Sequence, residues 1–285
     1  MEALTSENVR DAVLAALAED IGPGDATTQA TIPAESTARA VMIAREPLIV
    51  CGLALAEAAF RELSPEVKLQ RMVDDGNRVE KGTVLLRAHG PTRALLTAER
   101  VALNFVQRLS GIATLTAQFV EAIRGTRAKI LDTRKTTPGL RRFEKYAVAC
   151  GGGANHRFGL YDQILIKDNH LAALRDEMPN AITAAVLNAR DQFPELKVEV
   201  EADTLEQVRQ AVEAGADIIL LDNMTLVQLR EAVVLIAGKA RTEASGGITL
   251  QTVSAIANTG VDYISVGALT HSARSVDIAL DFEHN

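Results

Sequence analysis

The spacing of apolar residues divides this chain into two patterns joined by one long helix. Over residues 6–19, Val9, Ala12, Val13, Ala16 and Leu17 recur on one face, which predicts a short amphipathic helix. A turn follows at Asp20-Ile21-Gly22-Pro23-Gly24-Asp25. Strand-like runs come next at Ala38–Ala44, Pro47–Cys51, Val67–Met72 and Val84–Arg87, with a helical run at Leu53–Leu63 between them. That mixture predicts a small sheet with helices on it. Val101, Phe105, Leu109, Ile112, Leu115, Phe119 and Ile123 then recur at steps of three or four, so one long helix ends before Gly125. Thr97 is its expected cap, with Glu99 in the first turn and a candidate kink at Ser110-Gly111. This helix reads as the bridge between two domains.

After Gly125 the pattern becomes a strand–helix alternation. Lys129–Leu131 runs into Asp132-Thr133-Arg134-Lys135, and Gln163–Ile166 into Lys167-Asp168-Asn169-His170. Lys197–Val200 leads to Glu201, Asp217–Leu221 to Asp222-Asn223, Thr242–Ala244 to Ser245-Gly246-Gly247, and Asp262–Ser265 to Val266-Gly267-Ala268. Three helices share a start and a stop: Thr204-Leu205 to Gly215, Thr225-Leu226 to Gly238, and Thr249-Leu250 to Gly260. Units of this size imply parallel strands with right-handed crossovers. A doubly wound sheet is the rival, but no G-x-G-x-x-G follows a strand, and polar residues on six successive strand ends suit a barrel. Six strands are fewer than the eight of a closed barrel. The expected class is therefore α/β, with a small N-terminal α+β sandwich domain at 1–112 and an open, incomplete β/α barrel at 113–270. A tail at 271–285 is expected to pack back on the N-terminal domain.

Bulk properties narrow the function. The 285 residues are 47% hydrophobic and 24% charged, an ordinary globular composition. Trp is absent and the formal net charge is −7, which argues against nucleic acid or an anionic membrane as partner. Within that acidic chain, residues 127–168 hold nine Lys/Arg against four Asp/Glu. A basic island of this kind is a focused anion site or a solvated face. Cys51 and Cys150 lie far apart in sequence without C-x-x-C spacing, as in a reduced cytoplasmic protein. Glu7, Asp11, Glu19 and Asp20 interrupt the N-terminus, no run there resembles a signal peptide, and no run approaches a membrane span.

The strand ends decide between those readings of the basic island. Arg134, Lys135, His156, Arg157 and Lys167 supply cationic donors. Glu201 and Asp222 stand on neighbouring strand ends, where carboxylates suit ribose hydroxyls or Mg2+. Ser245-Gly246-Gly247 and Gly267 fall on the last two strands, a common phosphate site of barrels. Singly, each has a plainer role as a solvated charge, a helix cap or a loop glycine, and His271 could cap or pack. His89 and His284 have no supporting context, and no metal-ligand histidine spacing occurs. Asp75–Leu85 has the shape of half a biotinyl- or lipoyl-carrier hairpin, but no Lys follows Lys81 before Lys129, so it reads as a sheet turn. Jointly, cations, two carboxylates and a glycine turn on one rim suit a phosphorylated, highly anionic substrate.

Several runs then resemble one family closely, the quinolinate phosphoribosyltransferases. They are Asp132-Thr133-Arg134-Lys135-Thr136, Gly151-Gly152-Gly153-Ala154-Asn155-His156-Arg157 and Leu165-Ile166-Lys167-Asp168-Asn169-His170. Glu199-Val200-Glu201, Leu220-Leu221-Asp222-Asn223, Ser245-Gly246-Gly247 and Val266-Gly267-Ala268-Leu269-Thr270-His271 match too. So do Glu19–Thr28 and the Glu99-Arg100 pair, so the resemblance spans the chain in order. It implies transfer of phosphoribose from phosphoribosyl pyrophosphate (PRPP) to quinolinate with loss of CO2, in a homodimer where Arg100 is lent across the interface. By position, the resemblance puts Arg134, His156, Arg157 and Lys167 on the quinolinate carboxylates, and Lys135 and Lys167 near the reacting centre and pyrophosphate. It puts Glu201 and Asp222 on the ribose and Mg2+, the metal shared with PRPP. Thr133, Ser245, Gly246, Gly247, Val266, Gly267, Ala268 and His271 complete the implied substrate contacts. Two rivals remain: a related transferase acting on nicotinate or another azaheterocycle, and a non-catalytic phosphosugar-binding barrel. The first needs fewer cations than are present, and the second has no use for Glu201, Asp222 and Lys167 together.

Overall fold

The computed structural model describes residues 4–283; His284 lies outside them. The chain forms α1 (Ser6–Ile21), α2 (Ala26–Thr31), β1 (Thr37–Ala44), β2 (Leu48–Ile49) and α3 (Leu53–Leu63). Then come β3 (Lys68–Arg71), β4 (Arg78–Val79), β5 (Val84–Pro91) and α4 (Thr92–Ala122). The second half contains β6 (Lys129–Leu131), α5 (Arg141–Cys150), β7 (Ile164–Ile166), α6 (Asp168–Ala173) and α7 (Ala181–Gln192). It continues with β8 (Val198–Ala202), α8 (Leu205–Glu213), β9 (Ile218–Asp222), α9 (Leu226–Ile236) and β10 (Arg241–Ser245). Last are α10 (Val253–Ala257), β11 (Tyr263–Ser265), α11 (Ala268–His271) and β12 (Ile278–Phe282).

Two compact units result. The first comprises 1–117, 137–152 and 269–285, and the second 118–136 and 153–268. Residues 137–152, which the sequence division assigns to the barrel, cluster with the first unit for an electrostatic reason. The fully buried Glu144 of α5 accepts from Arg108 of α4 at 3.0 Å and from the Thr137 amide and hydroxyl at 3.0 and 2.8 Å. Arg108 also donates to the Thr270 and Ala273 carbonyls.

The first unit is built on the antiparallel sheet β12-β1-β5-β3, beside a β2-β4 ribbon. β12 pairs with β1 from Ala40–Phe282 to Ala44–Ile278, so the C-terminal segment completes the sheet. The sequence expectation for α4 needs correction. The helix begins at Thr92, directly after Pro91 ends β5, because its entry is anchored from outside: the Thr92 amide donates to Ser36 O at 2.8 Å and Arg93 Nε to Ile32 O at 2.9 Å. Thr97 is therefore an interior residue whose hydroxyl donates to Asp25 at 2.9 Å, and Arg100 stands roughly two turns inside, away from the dipole end. At the expected kink the helix is continuous. Ser110 accepts from the Cys51 amide at 2.9 Å, and a Cβ at Gly111 would run into the Arg274 carbonyl. Cys51 and Cys150, remote in sequence, meet here through a thiol–thiol hydrogen bond, and burial pushes the Cys51 thiol up.

The second unit holds the parallel sheet β6-β11-β10-β9-β8-β7. This is the cyclic order of a barrel with the β6–β7 step missing, which makes it an open, incomplete barrel. α8 and α9 start in capping boxes, Thr204 with Gln207 and Thr225 with Gln228. The third repeat differs. The Thr249 amide bonds the Thr252 hydroxyl at 3.0 Å instead, and α10 begins only at Val253. Among the described residues no helix is long and apolar enough to cross a membrane.

Candidate active site

β8 reads Val-Glu-Val-Glu-Ala, so strand alternation puts Glu199 and Glu201 on one face. The same alternation pairs Leu220 with Asp222 on β9, Glu243 with Ser245 on β10, and Leu165 with Lys167 along and just past β7. All these residues except Glu199, together with Ser265 of β11, line a cavity of about 430 Å3 at the C-terminal ends of the strands. Thr133, Arg134 and Lys135 after β6, and His156 and Arg157 before β7, complete the lining.

One side of the cavity is cationic. Arg157 is 9% exposed, and its Nη1 donates to Gln163 O at 3.1 Å. Burial and the neighbouring Arg134 hold its pKa below the usual guanidinium value, against the pull of Glu199 and Asp162. Arg134 Nε is buried without a hydrogen-bond partner. A buried charged donor left unmade costs free energy that an anion would recover. The supporting loop is fixed from below by buried Asp132, which accepts from the His156 amide at 2.9 Å and Asn155 Nδ2 at 2.6 Å.

The other side is acidic. Carboxylate oxygens of Glu201, Asp203 and Asp222 lie within 4.8 Å of one another. Burial, then the charge of Asp222, raises the Glu201 pKa, while Lys167 opposes the rise. Burial, Asp222 and Asp168 likewise raise Asp203. Such crowding is the signature of a site that a cation would relieve.

The turn between these strand ends depends on glycine. Asn223 adopts φ 52°, its amide donates to Ser245 O at 3.0 Å, and its Nδ2 to Asp222 at 2.6 Å. Gly246 at φ 99° packs so closely that a Cβ would overlap the Asn223 side chain. The loops that leave β9 and β10 thus interlock.

The structure brings Thr133, Arg134, Lys135, His156, Arg157, Lys167, Glu201, Asp222 and Ser245 around one cavity. Gly246 and Gly247 continue from Ser245. Val266, Gly267 and Ala268 continue from Ser265, with the Val266 amide held by Leu131 O at 2.9 Å. Arg100 and His271 belong to the first unit and are not among the lining residues; His271 Nδ1 bonds Ser272 Oγ at 2.6 Å. The residue reading missed Asp203, Glu243 and Ser265, and took Glu199 only as part of a motif. The available signal was alternation: Glu243 precedes Ser245 by two, as Glu199 precedes Glu201.

A larger cavity, about 620 Å3, opens at the opposite ends of the strands, lined by Arg127, Asp217, Lys239, Arg241 and Asp262 among others. Here the carboxylates already have partners. Asp262 takes Arg241 at 3.1 Å and Arg127 at 3.8 Å, and Asp217 takes Arg190 at 2.7 Å. The larger cavity is thus the one whose carboxylates are already paired.

Comparison with known proteins adds the family. Residues 25–110 match the N-terminal domain of quinolinate phosphoribosyl transferase, and residues 112–281 its C-terminal domain. The chain is 48% identical to the probable nicotinate-nucleotide pyrophosphorylase (carboxylating) of Bacillus subtilis, covering 92% of this chain and 89% of that one. It is 46% identical to the nicotinate-nucleotide pyrophosphorylase (carboxylating) of Mycobacterium leprae, over 95% and 96% of the two chains. The crystal structure of NadC from Streptococcus pyogenes superposes with a TM-score of 0.93 at 43% identity, over 100% of both chains.

Proposed function

The chain belongs to the quinolinate phosphoribosyltransferase family, and on that premise we propose that its strand-end cavity joins quinolinate to the ribose of PRPP. The products are nicotinate mononucleotide, pyrophosphate and CO2, a step of NAD biosynthesis catalysed by a pentosyltransferase. The observation that carries this reading is the division of one cavity into a cationic side, where Arg134 Nε is buried without a hydrogen-bond partner, and a crowded acidic side. A dicarboxylate fits the first, and ribose hydroxyls with a cation shared with the pyrophosphate fit the second.

In this reading Arg134 and Arg157 hold the quinolinate carboxylates and fix the ring, with the His156 imidazole beside them. The pyridine nitrogen attacks C1 of the ribose as pyrophosphate leaves. Positive charge develops on the sugar beside Glu201 and Asp222, and negative charge on pyrophosphate beside Lys135 and Lys167. The pyridinium so formed stabilises the ring carbanion left when the 2-carboxylate departs as CO2, and a proton then takes its place. Ser245, Gly246 and Gly247 hold the 5′-phosphate, with Val266, Gly267 and Ala268 beside them, and Thr133 contacts the pyrophosphate side.

Glu201 and Asp222, with Asp203 next to them, suit Mg2+ shared with PRPP, because the ion would relieve the mutual repulsion that raises Glu201 and Asp203. When bound, the ion supplies charge neutralisation at the pyrophosphate. A homodimer in which Arg100 reaches the partner's quinolinate is supported by the exposure of Arg100 and by its lack of a hydrogen bond or ion pair among the described residues. Two free thiols, Cys51 and Cys150, suit the reducing cytoplasm. The test is direct: the protein mixed with quinolinate, PRPP and Mg2+ should release CO2 and nicotinate mononucleotide. Turnover of nicotinate with none of quinolinate would sink the proposal.

A further inference from the structure

Glu243 is the most buried acid on the cavity wall, 1% exposed, and it has no part in the roles above. It meets fully buried Glu199 and the ring of His156 in one cluster. His156 Nδ1 accepts from the Arg157 amide at 2.7 Å, which leaves the ring proton on Nε2. That nitrogen faces Glu199 Oε2 at 3.1 Å and Glu243 Oε1 at 3.6 Å. Glu199 Oε2 also accepts from Gln163 Nε2 at 2.6 Å, and the Gln163 carbonyl holds Arg157 Nη1 at 3.1 Å. Each glutamate nevertheless keeps one buried oxygen, Oε1, without a hydrogen-bond partner. Two ionised carboxylates in contact inside a protein repel each other, and a ring whose Nδ1 accepts offers them one N–H rather than a positive charge. A proton on one carboxyl removes the repulsion and turns an orphaned acceptor into a donor.

We propose that Glu243 is a positioning residue of the phosphoribosyl-transfer site, a neutral carboxylic acid whose hydrogen bond to Glu199 leaves one negative charge rather than two beneath His156 and Arg157. The inference rests on the reading that this cavity takes quinolinate. Glu199 is the carboxylate of the pair, because it already accepts from Gln163 and faces the Nε2 proton of His156. Through those two contacts it aims His156 directly and Arg157 by way of Gln163. A second charge on Glu243 would draw the guanidinium groups of Arg134 and Arg157 toward the floor and repel an incoming dianion.

The groups around Glu243 agree. Burial, then the charge of Glu199, pushes it up to about 8, while His156 and the Ser265 hydroxyl of β11 pull it down. Its register partners are Leu220 of β9, which is apolar, and Tyr263 of β11. The other charged groups that line the cavity are Arg134, Lys135, Arg157, Lys167, Glu201 and Asp222.

The experiment measures quinolinate affinity by calorimetry, and its KM at saturating PRPP, from about pH 6.5 to about pH 9.5. In the wild-type enzyme, quinolinate affinity should weaken about tenfold as pH rises past about 8, the value at which Glu243 ionises. Glu243→Leu should raise the quinolinate KM about tenfold, with the PRPP KM changing less than about threefold. Glu243→Gln, a neutral donor of similar shape, should recover most of that loss and flatten the alkaline fall. Glu199→Gln, the same change on the other member of the pair, should itself raise the quinolinate KM about tenfold, since that site needs a carboxylate. A Glu243→Gln enzyme as impaired as the Leu variant, or one that keeps the alkaline fall, overturns the proposal. Should the Leu variant fail to fold, the pH profile of Glu243→Gln decides alone. A wild-type protein that neither binds quinolinate nor releases CO2 takes down the functional reading as well, whereas a binding, active wild type with a misbehaving Gln variant takes down this inference only.

Discussion

The two ends of the six-stranded sheet both carry dense charge and treat it in opposite ways. At the N-terminal ends, burial works against Asp262, yet the Thr242 amide and hydroxyl, with Arg127 and Arg241, hold its carboxyl below the usual range. At the C-terminal ends the carboxylates of Glu201, Asp203 and Glu243 are all raised, and the Arg157 guanidinium is depressed. One end settles its charges within the fold; the other leaves them unsettled until a ligand arrives. The larger cavity lies at the settled end. On the proposed reading, electrostatic discomfort rather than volume marks the reactive end.

Removing what the unsettled end is built to receive gives the largest expected effects. Exhaustive chelation by EDTA with metal-free substrates should abolish turnover, and full activity afterwards would sink the assignment of a cation to Glu201 and Asp222. Arg134→Ala and Arg157→Ala should each weaken quinolinate binding by about 2–5 kcal/mol and leave PRPP affinity closer to wild type. Unchanged calorimetric binding in both would remove the carboxylate clamp. Arg100→Ala mixed with Lys167→Ala should regain roughly a quarter of wild-type activity, because about half of freely exchanged dimers hold one intact site. No recovery after exchange is proven with tagged subunits would mean that Arg100 does not act in trans.

Smaller effects sharpen the contrast in stability. The folded pKa of Glu243 is raised from 4.5 to about 8, so stability from this group is present below 4.5 and is lost as pH rises toward about 8. Ligand-free Glu243→Gln should therefore melt above wild type, with the gap widening between those two pH values and level beyond them. A constant gap would deny that the carboxyl titrates there. Asp262 has the opposite sign: its pKa is lowered, so its contribution is present above 3.8 and fades as pH falls below that value. Arg241→Ala, from an exposed pair at the settled end, should cost less than about 1 kcal/mol and leave kcat/KM alone. A tenfold loss of kcat/KM would erase the distinction between the ends.

The barrel was legible because its repeats carry their own punctuation: Thr204 and Thr225 at helix starts, Gly215 and Gly238 after their ends. Thr133–Lys135, Lys167, Glu201 and Asp222 were legible because they fall at or just past the C-terminal ends of strands. The start of α4 was not. Thr97 with Glu99 imitates a cap, whereas the real start is set by Ser36 and Ile32, whose proximity only the tertiary fold creates. Glu243 was hidden in a strand of five residues where a charge looks exposed, and the meeting of Cys51 with Cys150 leaves no local trace. Local signals were readable, and contacts between remote segments were not.

The pairing of β12 with β1 has a consequence for how the protein is made. Phe282 sits opposite Ala40, so β1 emerges from the ribosome long before the strand that covers its outer edge. At ordinary elongation rates that interval is on the order of 10–50 s, time enough for the intervening β/α units to fold. Throughout it, β1 can pair with β5 on one side only, and its other edge stays open to neighbouring chains. β12 is thus a clasp, and nascent chains crowded on one messenger are most exposed to mispairing just before it closes.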